Sequence, residues 1–293
     1  MIIGVPKEIK LQEHRIGLTP DSVKVLNEKG HKVLVEANGG LEAGFTNQDY
    51  EKSGALIYDS AKKIFEDAET IVKVKEPQMS EVEMIREGQI IYTYLHLAAT
   101  RELTEGLIKS KSICIAYETV TDDKGRLPLL APMSAVAGRM SIQAGAHSLE
   151  KNQRGRGLLL GGAPGVEPAN VVILGGGVVG ENAAIIATGM RGKVYVVDKS
   201  KERLKELHEM FGDKIIPAES DKTDLKKLIS ECDLLIGGVL IPGAEAPKLV
   251  TKEMIKSMKR GSVIVDVAID QGGCVETSKP TTHGDPTYIV DGV

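Results

Sequence analysis

A chain of 293 residues with 42% hydrophobic and 27% charged positions has the length of about two globular domains, each able to bury a core. Its net charge of −4 leaves no basic footprint for nucleic acid or an anionic membrane, and 3% aromatics with no Trp argue against a binder that stacks bases. No apolar stretch approaches a membrane span, no signal peptide is visible, and Cys114, Cys232 and Cys274 are too dispersed for a disulfide framework or a zinc site, so a cytoplasmic protein without a metal site is expected.

Residues 2–5 read as a strand, a polar loop runs through Arg15, and a helix follows with Thr19 as N-cap and Pro20 at its first position. Further strands are expected at 32–37, 70–75, 89–95 and 112–119, with helices at 59–68 and 100–110. This alternation predicts a parallel sheet with helices on both faces. The turn-rich Asp122-Asp-Lys-Gly-Arg126 and the prolines Pro128 and Pro132 place a domain boundary near 128, dividing the chain into 1–128 and 129–293. Residues 134–151 have helical spacing and are expected to bridge to the second domain; 155–168 is a Gly/Pro-rich loop.

The second domain opens on Val171-Val-Ile-Leu-Gly-Gly-Gly-Val-Val-Gly180. Gly175, Gly177 and Gly180 satisfy G-x-G-x-x-G after an apolar run, and 181–190 reads as a helix. The first glycine permits a tight turn, the second a close backbone approach to a pyrophosphate, and the third lets helix and strand pack. Unpaired N–H groups at the helix start then face the phosphates. Asp198, 18 residues beyond Gly180, ends the strand 193–198, where a carboxylate can hold both ribose hydroxyls. Helices at 201–211 and 224–230 and strands at 233–239 and 262–267 complete a Rossmann dinucleotide-binding domain. The expected fold is therefore α/β, two doubly wound parallel-sheet domains joined by a bridging helix. Residues 287–293 read as a strand entering a turn, after which a doubly wound domain ordinarily continues with another strand.

Hydride transfer beside a dinucleotide needs a cation for the substrate carboxylate and a polar group that handles protons, both at the carboxyl ends of strands. Lys73 and Lys75 share one face of their strand, and the bland reading of each is a solvated strand-end charge. His96 ends an apolar run, where it is either a satisfied structural residue or a proton carrier suited to neutral pH. Asp270, before Gln271-Gly-Gly273, is either a turn initiator or a carboxylate at the nicotinamide end. Arg15 can fork onto a carboxylate with two parallel N–H bonds, which Lys cannot do. Position alone leaves both readings of each residue open.

Together these residues resemble the L-alanine dehydrogenase family, and the likeness runs colinearly along the whole chain. It is carried by Gly4-Val-Pro-Lys-Glu8, Glu13-His-Arg-Ile-Gly-Leu-Thr-Pro20, Val72-Lys-Val-Lys-Glu-Pro77 and Tyr94-Leu-His-Leu-Ala98, then by Leu129-Leu-Ala-Pro-Met-Ser134, Gly162-Ala-Pro-Gly-Val166 and Asp266-Val-Ala-Ile-Asp-Gln-Gly-Gly273. The resemblance implies reversible NAD-dependent deamination of L-alanine to pyruvate and ammonia by a homo-oligomer, often a hexamer, with 1–128 as the substrate domain. It implies that Arg15 and Lys75 bind the substrate and that His96 and Asp270 act as acid and base. It places Ser134, Gly175, Gly177, Val178, Val179, Gly180, Asp198, Arg203, Ser220, Val239, Leu240, Val267, Ala268, Ile269, Asp270 and Lys279 at NAD, with Arg203 and Lys279 as Lys/Arg exchanges relative to some relatives. Relatives continue into a loop with an Asn-Met-Pro element at the cofactor and helices that complete the first domain. Without them, exposed apolar surface on that domain and a missing wall at the nicotinamide are expected. The rival readings are the nucleotide-binding subunit of a proton-translocating transhydrogenase and a non-catalytic NAD-binding module.

Overall fold

The computed structural model describes residues 1–97, 100–239, 246–282 and 284–293; Leu240 and the side chain of Asp270 lie outside the described residues. The chain divides into two compact units, Met1–Leu130 and Ala131–Val293.

The first unit runs β1 (Ile2–Val5), α1 (Pro20–Glu28), β2 (Lys32–Glu36), α2 (Asn47–Lys52), β3 (Leu56–Tyr58), α3 (Ala61–Asp67), β4 (Thr70–Val72), α4 (Met79–Val82), β5 (Ile90–Thr93), α5 (Arg101–Ser110) and β6 (Ile113–Ala116). All strands pair in parallel in the order β3-β2-β1-β4-β5-β6. The period-two alternation of side chains feeds two cores. Ile3 and Val5 of β1 pack with Val23 of α1 and Tyr50 of α2 on one face, while Ile71 of β4 joins Ile64 and Phe65 of α3 and Leu103 and Leu107 of α5 on the other. The edge strand β6 leaves Ile113 and Ile115 exposed.

The second unit runs α6 (Ala131–Ser148), β7 (Asn170–Leu174), α7 (Val178–Gly189), β8 (Lys193–Asp198), α8 (Lys201–Phe211), β9 (Ile215–Glu219), α9 (Leu225–Ser230), β10 (Leu234–Gly237), α10 (Lys252–Ser257) and β11 (Val263–Asp266). Its parallel sheet has the order β11-β10-β7-β8-β9. Strand order therefore reverses beside the first strand of each unit, between β1 and β4 and between β7 and β10, which is the doubly wound arrangement expected from the alternation. The helix read over 134–151 is α6, which begins at Ala131 and packs against α7 so closely that a Cβ at Gly138 would stand 2.2 Å from the Val179 carbonyl oxygen.

Several elements escaped the sequence reading: α2, β3, α4, β9 and α10, none longer than 6 residues. Pro217 disguises β9, yet β9 is an edge strand, where a missing N–H is tolerated. Of the strand entering a turn expected over 287–293, the turn forms and the strand does not. That segment pairs with no strand among the described residues and leads into a turn closed by reciprocal Val290 and Val293 backbone bonds, each 2.9 Å. No described helix is long and apolar enough to cross a membrane.

Candidate active site and cofactor cradle

The carboxyl ends of β1, β4, β5 and β6 bring together most of the polar chemistry of the first unit. Leaving β1, the chain presents Glu8, Lys10, Glu13 and Arg15 in an irregular segment. Arg15 closes its fork on Glu13, donating from Nε to Oε1 at 2.7 Å and from Nη2 to Oε2 at 2.6 Å. The Glu13 side chain is only 8% exposed. Hydrogen bonding from Arg15 outweighs desolvation and, with the nearby Lys75 charge, holds the Glu13 carboxyl at about 2. The Glu13 carboxylate in turn raises the Arg15 guanidinium.

At the end of β4 the two lysines part company. Lys73 is not the solvated strand-end charge that its position allowed: its side chain is 0% exposed, with the ammonium 2.9 Å from Glu8 and 2.8 Å from Glu81. Burial raises the Glu81 carboxyl, opposed by the Lys73 charge. The other Glu8 oxygen accepts the Val74 and Lys75 backbone N–H groups at 2.6 and 3.2 Å, which fixes the segment from which Lys75 projects. Lys75 is partly exposed, and among the described residues its ammonium has no hydrogen-bond or ion-pair partner.

His96, just past β5, takes a left-handed backbone conformation with φ of 47°. The Glu118 carboxylate, carried beyond β6, secures this turn by accepting the N–H groups of Leu95 at 3.0 Å and His96 at 2.9 Å. The imidazole stacks on Tyr94, with ring centroids 6.0 Å apart, and its Nδ1 lies 3.0 Å from Glu76 Oε2. The second Glu76 oxygen takes the Lys10 ammonium. Burial opposes ionisation of Glu76, yet the bonds from His96 and Lys10 prevail and hold its carboxyl at about 2.

In the second unit the glycine turn fits a dinucleotide. Gly175 has φ of 95°, and a Cβ there would meet the Gly238 carbonyl oxygen at 2.9 Å and Val239 Cα at 3.2 Å, which puts the turn beside the end of β10. A Cβ at Gly177 would meet nothing within 4 Å, so the cradle is open, whereas one at Gly180 would lie 1.8 Å from the Gly175 oxygen. No side chain caps α7, so the first-turn N–H groups, including those of Val178 and Val179, remain for an anion. Asp198 accepts Gly176 N–H at 2.6 Å and Ser200 N–H at 2.8 Å, tying β8 to the turn while retaining lone pairs for hydroxyl donors. Ser220 joins it through a 3.0 Å backbone bond to the Asp198 carbonyl.

The remaining expected contacts are more scattered. Arg203 is bound to the Gly176 carbonyl at 2.7 Å, to Glu206 at 2.8 Å and to Glu181. Ser134 stands on α6; Val267, Ala268 and Ile269 lie in the short helical turn after β11 that also carries Asp270. Val267 packs into one core and Ala268 into the other. The Lys279 ammonium rests over the Tyr288 ring, 4.6 Å from its centroid. Glu8, Glu13, Glu76 and Glu118 were not singled out in the sequence. Glu8, Glu13 and Glu76 stand inside the family-like segments, which is the signal the sequence offers for them, but their partners are chosen by the fold.

The family model described as alanine dehydrogenase/PNT, N-terminal domain, matches residues 4–137, and its C-terminal counterpart matches residues 141–293. The chain is 56% identical to alanine dehydrogenase of Halomonas elongata, over 100% of this chain and 79% of that protein. A solved structure of L-alanine dehydrogenase superposes with a TM-score of 0.93 at 52% identity, covering 100% of this chain and 81% of the other. The transhydrogenase of Sinorhizobium meliloti follows at 0.83 and 28%, covering 100% and 84%. Together with the glycine cradle these matches imply a nicotinamide cofactor. Over its whole length, this chain belongs to the alanine dehydrogenase/PNT family.

Proposed function

We propose that the chain catalyses the reversible, NAD-dependent oxidative deamination of L-alanine to pyruvate and ammonia. The observation that carries this reading is the grouping at the strand ends of the first unit: cations at Arg15 and Lys75, and a histidine whose ring is oriented by a carboxylate. A site for hydride exchange between two nucleotides has no use for that set, and the dehydrogenase relatives are nearer in sequence than the transhydrogenase, 56% against 28%.

When bound in the cradle of Gly175, Gly177, Gly180 and Asp198, the nicotinamide dinucleotide supplies the hydride acceptor. NAD rather than NADP follows from charge. Asp198 repels a 2′-phosphate, Arg203 is neutralised by Glu181 and Glu206, and Lys201 lies 3.7 Å from Glu219. Ser134, Ser220, Val239, Leu240, Val267, Ala268, Ile269 and Lys279 are assigned as further cofactor contacts.

Arg15 and Lys75 hold the alanine carboxylate, Arg15 having been oriented in advance by Glu13. Fixing the Cα hydrogen in line for transfer can contribute roughly 7–11 kcal/mol. His96 removes a proton from the water that adds to the resulting imine and returns it to the departing amine, with Asp270 as the second acid/base group; such help adds about 10²–10⁴-fold. A homo-oligomer in the cytoplasm completes the proposal, the latter supported by three free cysteines.

The test is NADH absorbance after mixing the chain with NAD and L-alanine, with glycine, serine and lactate in parallel. NADH is expected with alanine. Tight NAD binding without NADH from alanine would refute the proposal.

A further inference from the structure

His96 has more support than an incidental histidine requires. Its left-handed backbone, unfavourable for a residue with a Cβ, is held by two N–H bonds to Glu118. Its ring is bounded by Tyr94 on one face and by Glu76 at Nδ1, and Glu76 is pinned in turn by Lys10. Three separate stretches of chain therefore converge on one imidazole: the segment after β1, the end of β4 and the turn after β6.

We propose that Glu76 is a positioning residue that keeps the proton of His96 on Nδ1 and so leaves Nε2 bare as the atom that exchanges protons with the substrate. This rests on the acid/base role given to His96 above. An ionised carboxylate only accepts hydrogen bonds, so at 3.0 Å from Nδ1 it requires Nδ1 to be the donor. The carboxyl of Glu76, held at about 2, is ionised throughout the neutral range. The proton on Nδ1 is thus retained through turnover. Nε2 takes a proton from the water that attacks the iminium and passes it to the amino nitrogen. As the C–N bond breaks it takes the hydroxyl proton of the carbinolamine and hands it to solvent, so the ring ends each cycle as it began. Lys10 occupies the other carboxylate oxygen and so stops Glu76 from turning away from the ring. The arrangement follows the general rule that the hydrogen bond at one imidazole nitrogen decides the state of the other.

The decisive variant is Glu76→Gln, which keeps the shape but has an amide that can either accept from Nδ1 or donate to it, so both tautomers become accessible. In the full chain, turnover with L-alanine is expected to fall about 10²-fold, with the KM for alanine and the affinity for NAD held within about twofold. Nitrogen NMR of histidine-labelled protein should show His96 as a single Nδ1-protonated tautomer in the parent and as a mixture in the variant. Glu76→Asp, which restores the charge, should recover much of the turnover. A parent ring protonated on Nε2 instead, a tautomer unchanged in Glu76→Gln, or turnover unchanged there would overturn the assignment. A KM rise equal to the loss in turnover would do so as well, since it would give Glu76 a general structural role. If the parent made no NADH from alanine, the proposed function would fall instead, and the tautomer measurement would decide the role of Glu76 by itself.

Discussion

Arg15 and Glu13 show how much of a charged side chain's behaviour is set by its neighbour. The guanidinium, on a side chain 46% exposed, is tethered along its Nε–Nη2 edge to the carboxylate of a side chain only 8% exposed. The rotamer entropy of a long side chain is therefore lost on folding rather than on substrate binding. The pair also carries a pH signature. Glu13 falls from an ordinary value of 4.5 to about 2 in the fold, chiefly through its bond from Arg15. A depressed carboxyl contributes stability that is complete above the unfolded value and disappears as pH falls through the folded one. Urea unfolding followed downward from neutral pH should thus show the parent losing more stability between about 4.5 and about 2 than Glu13→Gln does; parallel curves would contradict this. Lys75 and His96 are candidates in the sequence because strand ends and residue type point to them, and Arg15 because of its type in the loop after β1. Glu13, Glu76 and Glu118 are not, because a carboxylate facing a cation across the fold looks the same in sequence as one facing water. Glu118 and His96, for instance, stand 22 positions apart.

The end of β4 carries a buried ion triad on which the neighbouring segment depends. Lys73 links Glu8, from the segment after β1, to Glu81 on α4, and Glu8 passes the constraint on through the backbone of Val74 and Lys75. Replacing one member of such a group leaves uncompensated buried charge. Lys73→Met is expected to cost about 3–5 kcal/mol, read from the denaturant midpoint, whereas adding Glu8→Gln and Glu81→Gln should restore much of that loss. A single variant as stable as the parent would show that the carboxylates become protonated without penalty. Alternation of side chains pairs Lys73 with Lys75 but does not tell which of them is covered, since the two partners of Lys73 are 65 and 8 positions away. Short elements were lost for a related reason. The 6-residue α2 and α10 have too few turns for helical periodicity to emerge, while the long fingerprint segment of β7, α7 and β8 was read with little error.

At the scale of the molecule, two doubly wound sheets each have a reversal of strand order, and the polar groups of Glu8, His96 and Asp198 lie at or beyond carboxyl ends of strands. In each unit the apolar cores fill both faces of the sheet mostly with Val, Ile, Leu and Ala, and among the described residues each core cluster draws on one unit alone. A ligand that binds only the folded second unit should therefore stabilise that unit by itself. NAD at about 100 times its dissociation constant adds about 2.7 kcal/mol, roughly a hundredfold in the opening equilibrium. Hydrogen exchange in β7, β8 and β10 should slow by that factor, with β2 and β3 of the first unit little changed. Gly180→Ala, whose Cβ would lie 1.8 Å from the Gly175 oxygen, should abolish the gain. Equal protection of both sheets by NAD would mean instead that the units open as one body. In that case the fixed geometry of the first-unit site would draw its stability from the cofactor as much as from its own cores.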